Sequence, residues 1–117
     1  MHDPADSHEY LPLTEATFFI LLSLAPQPKH GYAMLKEVET LSQGRVRLST
    51  GTLYGAIKRL LERNWIRRID EGEAEKGGRP RKAYTLTDHG RRALNAELER
   101  LDGLVRTARR ISAGEVG

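Results

Sequence analysis

The stretch Ser49-Thr50-Gly51-Thr52-Leu53-Tyr54-Gly55-Ala56-Ile57-Lys58-Arg59-Leu60-Leu61 decides the fold. Leu53, Ile57, Leu60 and Leu61 recur at helical spacing and predict one core-facing side. Ser49 stands where an N-cap belongs, and Asn64 suits the left-handed residue that follows a helix. The other side of this helix shows Thr50, Gly51, Tyr54, Gly55, Lys58 and Arg59, a surface of hydroxyls, glycines and cations.

Working outward, two helices precede it. Thr14 caps the first, with Leu13 placed to staple onto Phe18. The run Phe18-Phe19-Ile20-Leu21-Leu22 is apolar nearly all round, which predicts burial on more than one side and turns Phe18 and Leu22 toward a partner subunit. Pro26 and Pro28 end it. The second helix runs from His30-Gly31 to about Leu41 with Met34, Leu35, Val38 and Leu41 inward, and Gly44 closes it. Residues 1–12 are polar and Pro-containing and read as a disordered arm.

Downstream, Trp65–Ile69 and Arg81–Leu86 read as two short strands. The charged, Gly-rich segment Asp70–Pro80 joins them as a hairpin with a long, mobile tip. Trp65, directly after a helix stop, reads as a core residue at the hairpin base. Thr87 then caps a last helix whose apolar positions Leu94, Leu98, Leu101, Val105 and Ala108 step by 4, 3, 4 and 3. That is an a/d seam, narrower than the stripe of a helix packed on its own domain, and of the two readings, the chain's own domain or a partner, its strict stepping favours a partner helix or partner domain. Glu97, Glu99, Arg100, Asp102, Arg106, Arg109 and Arg110 flank it. Residues 112–117 read as a frayed tail.

Composition narrows the function classes. The chain has 117 residues and no Cys, and its four His are scattered, which argues against disulfides, thiol chemistry, zinc-thiolate sites and a His-based metal site. No paired carboxylates suggest an enzyme, and neither a metal nor a cofactor is expected. His30 and His89 read as cap or surface residues. The net charge of +3 conceals a pattern. Residues 1–44 sum to −4, residues 45–82 carry eleven Lys or Arg against five acids, and residues 83–117 sum to +1. The positive block covers the decisive helix and the hairpin. No apolar run approaches the roughly 18 residues of a membrane span, so a cytoplasmic protein without membrane contact is the expectation.

Three helices, a hairpin and a final helix describe a mainly α fold with a small β-hairpin: a winged helix-turn-helix (13–86) plus a C-terminal dimerisation helix (87–111). The hydroxyls of Ser49, Thr50 and Thr52 and the N–H groups of the third helix suit phosphate oxygens. Gly51 lets a backbone come close, Tyr54 offers an O–H, and Lys58 lies one turn on. The wing tip Lys76-Gly77-Gly78-Arg79-Pro80-Arg81-Lys82 groups four cations around a Gly pair.

Four segments carry a resemblance: His30-Gly31-Tyr32; Ser49-Thr50-Gly51-Thr52-Leu53-Tyr54; Leu60-Leu61-Glu62-Arg63-Asn64-Trp65-Ile66; and Gly78-Arg79-Pro80-Arg81-Lys82-Ala83-Tyr84-Thr85-Leu86-Thr87-Asp88-His89-Gly90. In this order and spacing the chain resembles the PadR family of bacterial transcriptional regulators over about residues 13–110. The resemblance implies a homodimeric repressor on pseudo-palindromic double-stranded DNA. It implies DNA-facing roles for Tyr32, Thr50, Gly51, Thr52, Tyr54 and Lys58, and wing contacts from Gly78, Arg79 and Arg81, beside which Lys82 lies. Thr50 stands where the family often has Pro, which weakens the pre-set first helical turn. The single C-terminal helix resembles the short subgroup, so ligand roles of the larger C-terminal domain are not carried over. A small-molecule inducer of unidentified chemistry is compatible with the resemblance, but the seam offers no aromatic residue to stack a flat ligand between subunits. The alternative reading is a winged-helix protein-interaction module that does not bind DNA.

Overall fold

The computed structural model describes residues 10–71 and 81–114. The elements are α1 (Glu15–Leu24), β1 (Lys29–His30), α2 (Gly31–Leu41), α3 (Thr50–Glu62), β2 (Ile66–Glu71), β3 (Arg81–Leu86) and α4 (Asp88–Ser112). Three of the helices start on the hydroxyl that local sequence predicts. Thr14 Oγ1 accepts from Thr17 N at 3.1 Å, Ser49 Oγ from Thr52 N at 3.1 Å, and Thr87 Oγ1 from Gly90 N at 2.9 Å. Each such cap is worth about 1 kcal/mol. Helix α3 ends in a Schellman turn: Asn64 takes φ 64°, and Trp65 N and Asn64 N donate to Leu60 O and Leu61 O, both at 3.0 Å. At the end of α2, Gln43 (φ 55°) takes the left-handed place and Gly44 (φ 83°) follows it, so two residues make the closure assigned to Gly44 alone.

The two-stranded hairpin of the sequence reading is instead a three-stranded antiparallel sheet in the order β1-β3-β2. Lys29 pairs with Tyr84 and His30 with Ala83 on one side of β3, while Ile66–Glu71 pair with Leu86–Arg81 on the other. A two-residue strand has no periodicity of its own and exists only through its partner. Its effect is to make β3 central, so that consecutive residues Ala83 and Tyr84 are both buried where simple alternation would expose one.

Ile20, Leu21 and Leu24 of α1, Met34 and Val38 of α2, Leu53, Ala56, Ile57 and Leu60 of α3, and Trp65, Ile66, Tyr84, Leu86, Ala93 and Leu94 form one core. Trp65 is buried as expected. Tyr10 meets it edge-on at 5.4 Å, and the Arg63 guanidinium stacks over Tyr10 at 4.3 Å. Residues 10–12, assigned to the disordered arm, thus begin a strap packed on the domain. Residues 1–9 lie outside the described residues.

Helix α4 changes character along its length. Gly90, Ala93, Leu94 and Glu97 are buried against the domain. Leu94, assigned to the intersubunit seam, is therefore a core residue of its own chain. Glu97, assigned to the solvated flank, is 2% exposed. Its carboxylate accepts from Arg100 Nε at 2.6 Å, from Arg100 Nη2 at 3.0 Å and from Leu13 N at 3.0 Å. The Arg100 hydrogen bonds, aided by the Leu13 N–H, outweigh burial and hold this carboxyl below its usual range. A 3.6-residue repeat predicts burial from position and not from pairing, so it misses a charge buried with its partners.

Removing Glu97 leaves Leu13 N unpaired in a part-buried site. Glu97→Ala should cost about 1–3 kcal/mol in thermal unfolding. A carboxyl depressed in the folded state contributes fully above its unfolded value and loses that contribution as pH falls through the lower folded value. The stabilities of the variant and the unmodified chain should therefore converge in acid; a constant gap would refute the assignment. At Gly90 a Cβ would run into the backbone carbonyl of Trp65. Gly90→Ala should thus cost roughly 1–3 kcal/mol despite its higher helix propensity.

Candidate nucleic-acid interface

The solvent side of α3 presents the residues that sequence singles out. Thr50, Gly51, Thr52, Tyr54 and Lys58 are all exposed. Ser49 and Thr52 are partly committed to the helix itself. Ser49 Oγ caps Thr52 N and donates to Thr52 Oγ1 at 2.9 Å, leaving the Thr50 hydroxyl and the neighbouring first-turn N–H groups facing outward. A Cβ at Gly51 would meet nothing within 4 Å, so packing inside this chain places no demand for glycine there.

Tyr54 is 44% exposed, and its hydroxyl lies against Gly31 at the start of α2. A Cβ at Gly31 would collide with that hydroxyl. Tyr84 is close enough for its phenol to be pushed up, first by burial and then by Tyr54, with Arg68 acting in the opposite sense. The His30-Gly31-Tyr32 motif thereby gains a physical reading: Gly31 makes room for the tyrosine of α3, and Tyr32 beside it is 68% exposed. His30 occupies the N-cap position of α2 but gives no side-chain cap, and its Nδ1 lies 3.2 Å from Lys82 O. His30 thus gives the first-turn N–H groups of α2, next to Tyr54 and Tyr32, no cap from its own side chain. Those are the conditions that favour a phosphate oxygen.

Lys36 escapes the sequence reading. It lies on α2 with its Nζ 5.4 Å from the Tyr32 ring centre and so joins this surface; the i, i+4 spacing from Tyr32 is the signal that could have found it. Lys82 is exposed on β3. Gly78 and Arg79 of the wing tip lie outside the described residues, and of Arg81 only its backbone place, paired with Glu71, is described. Two cations of the positive block are engaged elsewhere: Arg45 pairs with Glu15 at 2.6 Å and Arg47 with Glu39 at 3.3 Å. Lys29 donates to Ser23 O at 2.7 Å. Lys58 forms no ion pair among the described residues.

Of the remaining positions assigned to the subunit contact, Phe18 and Leu22 are half-buried on α1. Beyond Leu94 the seam is uncovered: Leu98 is 42% and Val105 46% exposed, Ala108 is exposed and Leu101 half-buried. Leu104 (55%) and Ile111 (58%) widen it beyond the a/d pattern. Among the described residues no group of His, Asp or Glu could hold a metal ion, and no helix is long and apolar enough to cross a membrane.

Comparison with known proteins agrees with this geometry. The model of the PadR-like family of transcriptional regulators matches residues 20–96. A PadR family transcription regulator of Clostridium difficile superposes with a TM-score of 0.70 at 24% identity, over 84% of this chain and 98% of that one. Bacillus subtilis PadR, solved in complex with operator DNA, superposes with a TM-score of 0.63 at 23% identity, over 74% of this chain and 47% of that one. An uncharacterized 37.1 kDa protein in transposon TN4556 of Streptomyces fradiae is 37% identical over 94 residues, 78% of this chain. The chain spans about a quarter of the length of that relative. With 77 consecutive residues inside the family model and the same fold in solved members, the chain belongs to the PadR-like family of transcriptional regulators.

Proposed function

We propose that the chain is a cytoplasmic, homodimeric transcriptional repressor that binds pseudo-palindromic double-stranded DNA. The winged-helix unit (13–86) does the reading and the helix over 87–111 joins the subunits. The observation that carries this reading is the exposed α3 face. Thr50, Gly51, Thr52 and Lys58 are exposed on it, and Tyr54 of the same helix reaches the start of α2 at Gly31, beside the exposed Tyr32. Every polar group there either donates a hydrogen bond or can, which suits a phosphate backbone flanking a groove. Ser49 acts mainly by holding the first turn of α3, and Gly78, Arg79, Arg81 and Lys82 act from the wing. The solved Bacillus subtilis PadR complex with operator DNA supports a DNA-binding role by kinship.

A single reading head makes few contacts, so two-fold symmetry is needed for operator affinity at half-sites about 34 Å apart. The exposed part of α4, from Leu98 through Leu101, Val105 and Ala108, supports a contact with a second copy. The partly exposed Phe18 and Leu22 extend that surface. Spanning 25 residues, α4 is about 37 Å long, of the order of that spacing.

In a gel shift on the chain's own upstream DNA, log affinity should fall steeply with log salt. Lys58→Ala should weaken binding and reduce that slope by about one. No binding to any duplex at low salt would favour the protein-interaction module instead. Leu98→Asp with Val105→Asp should leave the fold of the single chain intact by circular dichroism, because both side chains are exposed in it, yet give a monomer by light scattering, lower the melting temperature by the lost subunit contact and abolish operator binding. Gly31→Ala should displace the Tyr54 ring and weaken binding several-fold, with stability altered by less than about 1 kcal/mol, since the obstructing atom ends a movable side chain. Operator affinity unchanged by Gly31→Ala would remove Tyr54 from the interface.

A further inference from the structure

A polar concavity lies where α3 meets the N-terminal strap. It has a volume of about 260 Å³ and is lined by Tyr10, Pro12 and Leu13 of the N-terminal strap, Thr14 and Thr17 of α1, and Ala56, Arg59, Leu60 and Arg63 of α3. Arg59 and Arg63 are one helical turn apart and share this face. Among the described residues neither guanidinium has a carboxylate partner or a hydrogen-bond acceptor. The acid of the first α1 turn, Glu15, is held by Arg45, and among the described residues no acid lines the cleft.

Arg63 is pre-set for a ligand. Its guanidinium lies 4.3 Å from the Tyr10 ring centre and 5.2 Å from that of Trp65. Stacking fixes the guanidinium plane while leaving its N–H edges to bond in that plane. Thr17 adds a donor: its hydroxyl accepts from Thr14 Oγ1 at 3.0 Å, which leaves its own proton to be given elsewhere. Two guanidinium groups, which lack acceptors, and a hydroxyl with a proton to give select an acceptor-rich, negatively charged ligand and repel cations. Leu60, Ala56, Pro12 and Leu13 supply an apolar floor, and the volume holds several water-sized groups at roughly 30 Å³ each.

We propose that this cleft binds a small oxyanion ligand, the phosphate or carboxylate head of a compact metabolite, with Arg59 and Arg63 as the charged contacts and Thr17 as a neutral donor. The proposal does not depend on the DNA-binding reading, because it is decided by the response to free anions. The test is a titration of the full chain with inorganic phosphate and, separately, acetate, at ionic strength held constant with chloride, following the Arg Nε–H and Thr17 amide signals by NMR. Saturable shifts at Arg59, Arg63 and Thr17 are expected. Arg59→Gln, which keeps the Arg63 stack and the melting temperature, should weaken phosphate binding roughly tenfold, the loss of one charge-assisted contact. Response to one anion and not the other identifies the head group. Equal shifts with chloride alone, shifts confined to the start of α3, or a response to a short duplex but to neither free anion would overturn the proposal.

Discussion

The backbone carbonyl of Trp65 is the point on which the other elements depend. Trp65 follows the left-handed Asn64 that ends α3 and precedes the first residue of β2. Its carbonyl accepts from Thr87 N at 3.1 Å, while Thr87 Oγ1 donates to Asn64 O at 2.5 Å. The Cα of Gly90 rests against the same carbonyl, with no room for a side chain between them. Thr87 also starts α4. One dipeptide therefore joins α3, both long strands of the sheet and the last helix, and the Trp65 ring beneath it is closed by Tyr10 and Arg63. The angle at which α3 meets solvent is set by backbone packed on backbone, the least deformable kind of contact.

Helix α4 extends that geometry outward. Its first turns are core, and the buried Glu97, tied to Arg100 and to the backbone of Leu13, marks where core ends and projection begins. A buried carboxylate with a complete set of partners is costly to disrupt and specific in direction. It locks α4 to the start of α1 more sharply than another leucine would. The polar latch and the apolar seam lie side by side on one helix, so the part that holds the domain together also aims the part that faces outward.

Much of this was legible in sequence because it is local. Thr14, Ser49 and Thr87 cap the helices they precede, and Asn64 ends α3, since caps and left-handed turns depend on a few adjacent residues. The core side of α3 followed from periodicity. Long-range features were not legible. Strand β1 exists only through pairing across more than fifty residues of chain. Glu97 is buried because Leu13, 84 positions away, donates to it. Leu94 and Leu98 belong to one 4-3 pattern, yet one lies in the core and the other is exposed; only the extent of the domain beneath the helix separates them. For the candidate site, the exposed positions of Thr50 and Lys58 follow from the pattern of α3, while Tyr32 was picked out only by the resemblance. The pairing of Tyr54 with Gly31, and the place of Lys36 beside Tyr32, needed the packing of α2 against α3.

Gly51 and Gly55 have a consequence for how the protein can change. They lie one turn apart on the solvent side of α3, and neither is crowded: a Cβ at Gly51 meets nothing, and one at Gly55 finds only the Arg59 Nη1 atom at 3.8 Å. In an exposed helix each such glycine forgoes up to about 1 kcal/mol relative to alanine. The fold would be firmer without them, so they form a strip of bare backbone on which the core makes no claim. Side chains could be added there, and this exposed face of α3 rewritten, while the packing around Trp65 and Gly90 stays as it is. Evolution, or a designer, could alter these two positions nearly independently of folding.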